Sequence, residues 1–391
     1  METLTMQGEV MDNNGTRRIF SALAVFAALC AVYGCDADES GGTDSGGPFA
    51  NQVFVVTTDY YAGSCSSIAP VQAADAGTDA GPDIGPYMLT DYPNCGLNPD
   101  AYARFNNNLV YVVNRKGGDN IQVLDPSKSY TTISQTSVGA GSNPQDIAFW
   151  KNKAYVSRME QNTVWVMDIN TMQKLREIDL STFADVDGFC EPGMMATDGR
   201  YIYVSIMRLD RTQDYIPTDR SYVAMIDPAT DKLVGSGIQL KTVNPWPGLS
   251  IDMGRLYVGT SGQFGKMNGG IEELDPVKQT SNGLVINAAT LGGDISLFQV
   301  HNQVIYAVIS DANFNTKLVA WDMRLSKLWT VMETVGFNLA GFAINSKNEL
   351  WISDRDMLKP GVRVLDLETY SEKTAAPIST MLPPYMLLFM E

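Results

Sequence analysis

Histidine is almost missing from this chain: its 391 residues hold one, His301. A Ser-His-Asp triad, a histidine brace for copper and a multi-histidine metal centre all need well-placed imidazoles. His301 sits in HNQVIYA, in a turn just before an apolar strand, so each of these lacks its parts. The five cysteines form no C-x-x-C, which removes zinc, iron-sulfur and thioredoxin-like readings, and no C-x-x-C-H, which removes a c-type haem. Cations are also scarce: 28 Lys and Arg stand against 44 Asp and Glu, a net charge of -16, and no basic run exceeds Arg17-Arg18. Binding to a phosphate backbone rests on clustered cations, so nucleic acid is not expected as a partner. There is no credible amphipathic helix, and no apolar run reaches the roughly 20 residues that span a bilayer.

The longest apolar run, IFSALAVFAALCAVYG from Ile19 to Gly34, follows Arg17-Arg18 and has the size of a signal-peptide core. Residues 1–34 therefore read as an export signal. The run ends in VYGC, Val32 to Cys35, which resembles the lipobox of bacterial lipoproteins; Val32 and Gly34 fit the pattern and Tyr33 is bulkier than usual. The resemblance implies that Cys35 is lipidated and holds an exported protein, periplasmic or at the cell surface, to a membrane. Residues 35–51, rich in Gly, Ser and Asp, have the composition of a flexible tether. Disulfides persist in an exported protein. Of Cys65, Cys95 and Cys190, the first two flank one loop and form the expected pair, with Cys95 to Cys190 the alternative.

The rest of the chain repeats. VFVV, VYVV, AYVS, IYVS, LYVG, IYAV and LWIS place aromatics at Phe54, Tyr111, Tyr155, Tyr203, Tyr257, Tyr306 and Trp351. A second apolar element follows each and ends at Asp125, Asp168, Asp227, Asp275, Asp322 and Asp366; the first copy has Ala69-Pro70 instead. Asp followed by Pro fits a type I turn, so these aspartates read as turn formers. A third element, often opening with Pro, precedes each aromatic strand, as in PDAYARF, PQDIAF and PGLSI, and its last copy, PPYMLLF, ends the chain. Its natural partner is the orphan strand at Val53.

Seven copies of short strands with turns between them predict an all-β fold: a seven-bladed β-propeller of four-stranded antiparallel blades over residues 52–391, the C-terminal strand completing the N-terminal blade. The aromatics read as wedges between blades. VQAADAGTDAGPDIG, residues 71–85, reads as a low-complexity insertion in the first blade. YVVN, YVSR, YVSI and YVGT, with GSNPQDIAF, resemble the YVTN-type propeller repeat family. That resemblance implies the fold and is nearly silent on activity.

In such a meander the loops between second and third strands, and those between blades, share one face around the channel. Arg115, Arg158, Arg208, Asp311, Asp354 and Arg355 follow the aromatic strands, and Asp146, Asp187, Glu191, Asn244 and Asp294 lie in or beside the inter-blade loops. Two arrangements are open. The arginines staple blade to blade through carboxylates, or they face the channel and take an anion. A hard cation such as calcium is a further option, held by Glu191, Asn244 and Asp294 or by DVDG at Asp185–Gly188, although that stretch lacks the downstream Glu of an EF-hand. No other cofactor is expected. The expected role is a monomeric binding or scaffolding module for an unidentified protein, glycan or small molecule. A lactonase-like, metal-dependent hydrolase or lyase is the alternative, and RTQDYIPTDRS and QFGKMNGG are the loops long enough to project.

Overall fold

The computed structural model describes residues 7–11, 17–21, 49, 52–71 and 87–390. Gln7–Met11 pairs with Arg17–Ser21 as an antiparallel hairpin. Cys35, the tether apart from residue 49, and residues 72–86 lie outside the described residues. No helix among the described residues is long and apolar enough to cross a membrane.

Seven antiparallel sheets follow one another around a ring. Each blade has an inner strand on the channel, then second, third and outer strands. In blade 2 these are Ala101–Asn106, Leu109–Asn114, Asn120–Asp125 and Thr131–Ser137. The pattern repeats from the inner strands Pro144–Trp150, Pro192–Thr197, Gly248–Asp252, Asp294–His301 and Leu339–Ile344. Blade 1 takes its inner strand from the other end of the chain: Pro384–Phe389 pairs with Val53–Thr58, Val53 opposite Phe389. In blade 4 the outer strand is broken into Lys232–Leu233 and Ile238–Gln239, both paired with Tyr222–Asp227.

Second strands are buried on both faces, which explains their unbroken apolar runs. Their aromatics are the wedges that the repeat predicts. All seven are at most 3% exposed, and Phe54, Tyr111, Tyr155, Tyr306 and Trp351 point at the next blade. Phe54 reaches Tyr130, Tyr111 meets Phe149, Tyr306 meets Phe342, and Trp351 sits between Tyr87 and Phe389 of blade 1. Tyr155 adds a hydrogen bond from its hydroxyl to Asp231 of blade 4, 2.6 Å.

The six repeated aspartates are turn formers. Each accepts the backbone N–H two residues on, from Ser127, Asn170, Ala229, Val277, Arg324 and Glu368, at 2.8 to 3.1 Å. Asp322 is held lowest, at about 2, because the Arg324 guanidinium also bonds its carboxylate. A disulfide joins Cys65 to Cys95 across the third and outer strands of blade 1, with Cα atoms 6.2 Å apart. Cys190 is a buried free thiol, its pKa pushed up by that burial.

Trp351 fills the seam where blade 7 meets the closing blade. Trp351→Ala should destabilise the fold by about 3–5 kcal/mol, read as a lower urea midpoint. A midpoint unchanged from wild type would mean that the wedge carries no such weight.

Candidate functional site

The channel is narrow enough for inner strands of non-adjacent blades to touch. Arg104, on the inner strand of blade 2, grips Asp146 of blade 3 with Nε to Oδ1 at 3.0 Å and Nη2 to Oδ2 at 2.7 Å. Its Nη2 also reaches the Met195 carbonyl of blade 4, 3.1 Å. Asp146, fully buried, accepts the Met195 N–H at 2.8 Å. One guanidinium and one carboxylate thus tie three blades together, and they satisfy the edge N–H and C=O that an inner strand turns to the channel. The same device recurs with weaker acceptors: Met386 Sδ takes the Ala103 N–H, and Ser250 Oγ takes that of Val300.

The arginines that follow the second strands do not form one ring. Arg158 lies back along its own blade, over Trp165 at 4.3 Å, with Nη1 bonded to Thr163 and 3.8 Å from Glu177. Arg208 rests over Tyr222 and pairs loosely with Asp219, 3.6 Å. Arg355 is a seam staple: its guanidinium donates to the carbonyls of Thr58, Pro383 and Pro384 and stacks on Tyr60. Arg115 alone among them turns inward, over Tyr102 and 3.7 Å from Asp100. The expected cluster of Arg115, Arg158 and Arg208 is therefore not gathered at one point, because flat aromatic faces on the third strands hold the latter two.

The carboxylates mostly hold loops. Asp294 accepts the N–H groups of Gly265 and Met267, at 2.5 and 2.8 Å, and so folds the Gly-rich loop of blade 5 down; burial raises its pKa. Asn244 donates to the Gly262 carbonyl of the same loop. Asp311 closes its own loop through Asn313 and Asn315. Asp354 takes the Arg363 Nε at 2.8 Å. Asp187 accepts the N–H groups of Phe189 and Arg211.

Glu191 is the most constrained of them. Its fully buried carboxylate accepts the Leu209 N–H at 3.0 Å and Arg211 Nε at 2.8 Å, while the Arg211 Nη1 spans to Glu160 of blade 3. Arg211 thereby fastens the long loop of blade 4, which is a built hairpin: Leu209–Asp210 pairs with Ile216–Pro217. Burial pushes Glu191 up to about 7, against the pull of the Leu209 N–H and Arg211. For a cation, Glu191 and Asp294 are thus each committed elsewhere, whereas Asn244 donates through Nδ2 and its Oδ1 is buried with no hydrogen-bond partner. No group of three or more His, Cys, Asp or Glu placed to hold a metal ion occurs among the described residues.

Arg104, Arg211 and Asp100 were not singled out in the sequence. Arg104 carried a signal, a charge between the apolar Ala103 and Phe105 of the inner-strand copy PDAYARF. Arg211 carried none, since any of the charges in its loop could have turned back. His301 ends its inner strand, its ring Nε2 3.0 Å from Asn302, on the face opposite the channel mouth.

Fold and site together define a seven-bladed β-propeller. No known protein family and no curated protein matches the chain. Among solved structures it is similar to a putative 6-phosphogluconolactonase from Bacteroides fragilis, 12% identical over 88% of this chain and 99% of that one, TM-score 0.57. It is also similar to the dihydro-heme d1 dehydrogenase NirN, 10% identical over 89% and 77%, TM-score 0.54, and to AztD from Citrobacter koseri, 11% identical over 86% and 97%, TM-score 0.51. At these identities the likeness is one of fold.

Removing the Asp146 charge strands Arg104 in the channel wall. Asp146→Asn should cost about 3–5 kcal/mol, the range for breaking a buried pair from one side, whereas exposed Asp219→Asn should cost under about 1 kcal/mol; urea titration of both variants gives the comparison. The raised pKa of Glu191 has a definite sign. The folded state keeps a proton that the unfolded state loses from about pH 4.5, so this group's contribution falls as pH rises from about 4.5 to about 7. Glu191→Gln should flatten that part of the stability-pH curve; an unaltered slope counts against it.

Proposed function

We propose that this chain is an exported, lipid-anchored propeller of the YVTN-repeat type that binds a partner through its channel-mouth face. The observation that carries the reading is the distribution of exposed apolar side chains. Loops on the mouth face present Tyr60, Tyr61, Phe264, Phe337, Met357 and Leu358, with Tyr61 and Leu358 at least 90% exposed. The opposite face offers only Met253, Val277 and Leu325 among the described residues. Concentrating large apolar groups on one face costs solubility and marks an interaction surface. Phe264 and Phe314 stack at 5.3 Å, and Phe314 meets Phe337 at 5.2 Å, a three-ring platform across blades 5 and 6 and the loop into blade 7.

Topology supports an anchor compatible with that face. Residues before Val53 enter the propeller at the start of a second strand, which is the face opposite the mouth. A lipid on Cys35 thus joins the chain ahead of a strand that starts on the face away from the mouth.

Two measurements test the reading. Cys35→Ser should move the protein from the membrane to the soluble fraction; retention in the membrane would remove the anchor. Replacing Phe264, Met357 and Leu358 together by Ser should abolish retention of the partner from a cell-envelope extract while leaving the urea midpoint within about 1 kcal/mol of wild type. Undiminished retention would move the binding surface elsewhere.

A further inference from the structure

Within the same channel mouth, two arginines offer the same edge and only one has it filled. A guanidinium presents Nε and Nη2 side by side, spaced to match the two oxygens of a carboxylate. Arg104 uses that edge on Asp146, at 3.0 and 2.7 Å. Arg115, 1% exposed, has no hydrogen-bond partner at either Nε or Nη2. Its nearest carboxylate, Asp100, stands off the other end of the group, 3.7 Å from Nη1. The remaining contact is the face of Tyr102, 5.1 Å from the guanidinium carbon, which balances charge without accepting an in-plane hydrogen bond.

Burying a permanent cation with two donors unmade is expensive, by several kcal/mol for the charge and about 1–3 kcal/mol for each orphaned group. Nothing about the blade seam requires it. Arg355, at the corresponding place in blade 7, is also buried and spends its donors on three backbone carbonyls. Arg115 instead sits among inner-strand residues, Tyr102 of its own blade and Tyr385 of blade 1, whose hydroxyl lies 3.5 Å from Asp100. The Asp100 side chain, 31% exposed, opens this spot to the mouth, and exposed Lys116 stands on the rim beside it.

We propose that the Nε/Nη2 edge of Arg115 is a carboxylate-recognition site at the mouth between blades 1 and 2. The proposal rests on the mouth being the binding face and names the chemistry read there. One planar monoanion would pair with this unpartnered edge as Asp146 pairs with that of Arg104. A phosphate dianion is disfavoured, because Asp100 lies beside the group and the chain as a whole carries a net charge of -16. The carboxylate can belong to a free small acid or to the C-terminus of a bound peptide.

The test is isothermal titration of the full chain in detergent micelles with acetate, with trialanine and with trialanine amide. Acetate binding assigns a free acid. Binding of trialanine but neither acetate nor the amide assigns a peptide terminus. In either case Arg115→Lys, which keeps the charge and loses the paired edge, should weaken binding at least tenfold. Asp100→Asn, which removes the competing carboxylate, should strengthen it severalfold; a purely structural Arg115 would produce no such gain. Equal affinity in wild type and Arg115→Lys, or no binding of either acid up to tens of millimolar, overturns the site. If that happens while the Phe264, Met357 and Leu358 replacement still abolishes partner retention, only the Arg115 proposal falls and the mouth remains a binding face.

Discussion

The pairing of Val53–Thr58 with Pro384–Phe389 is the constraint on which everything else rests. Each wedge aromatic is buried only because another blade stands in front of it, so a ring open at one seam would expose two sheet faces and loosen the blades on either side. The contact joins opposite ends of the chain, but the entropy of closing so long a loop grows only as its logarithm. The chain concentrates reinforcement there. Arg355 bonds across the seam, Tyr87 donates to Glu349 at 2.6 Å, Trp351 packs between Tyr87 and Phe389, and the only disulfide among the described residues ties the closing blade together.

Closure also decides what the mouth is made of. Around blades 2 to 4 the inward groups are ionic and largely matched: Arg104 with Asp146, Arg211 with Glu191 and Glu160. Around blades 5 to 7 and 1 the loops carry phenylalanines, methionines and tyrosines. Ion pairs that fix blade positions are thus concentrated on one side of the mouth, and the exposed aromatic rings on the other. Arg115 stands where the two meet, next to the seam.

How much of this could be read from the sequence depended on whether a feature repeats. The seven aromatics, the turn aspartates and the strand that completes blade 1 could be read directly, since a repeated position sees the same surroundings in every blade. The mouth charges could not. Arg115, Arg158, Arg208 and Arg355 occupy equivalent places after the second strand, yet they end on Tyr102, Trp165, Tyr222 and the Pro383–Pro384 carbonyls. A long flexible side chain settles on whichever aromatic or acceptor its neighbours offer, and those neighbours come from distant parts of the chain. Asp294 makes the same point. It resembled a metal ligand by type and position, but its oxygens are used by the N–H groups of a glycine-rich loop whose path no local rule would predict.

The position of Val53–Thr58 within its blade also has a mechanical meaning. The residues that precede it connect to a strand bonded on both sides, to Pro384–Phe389 and to Gly63–Pro70. A pull on that end is therefore resisted by two hydrogen-bond ladders strained lengthwise and at once, where an edge strand would peel away one bond at a time. Had the chain begun with an inner or outer strand, the same pull would open the ring at its weakest ladder. Sharing one blade between the first and last strands of the propeller makes the strand that takes such a pull the place hardest to unravel.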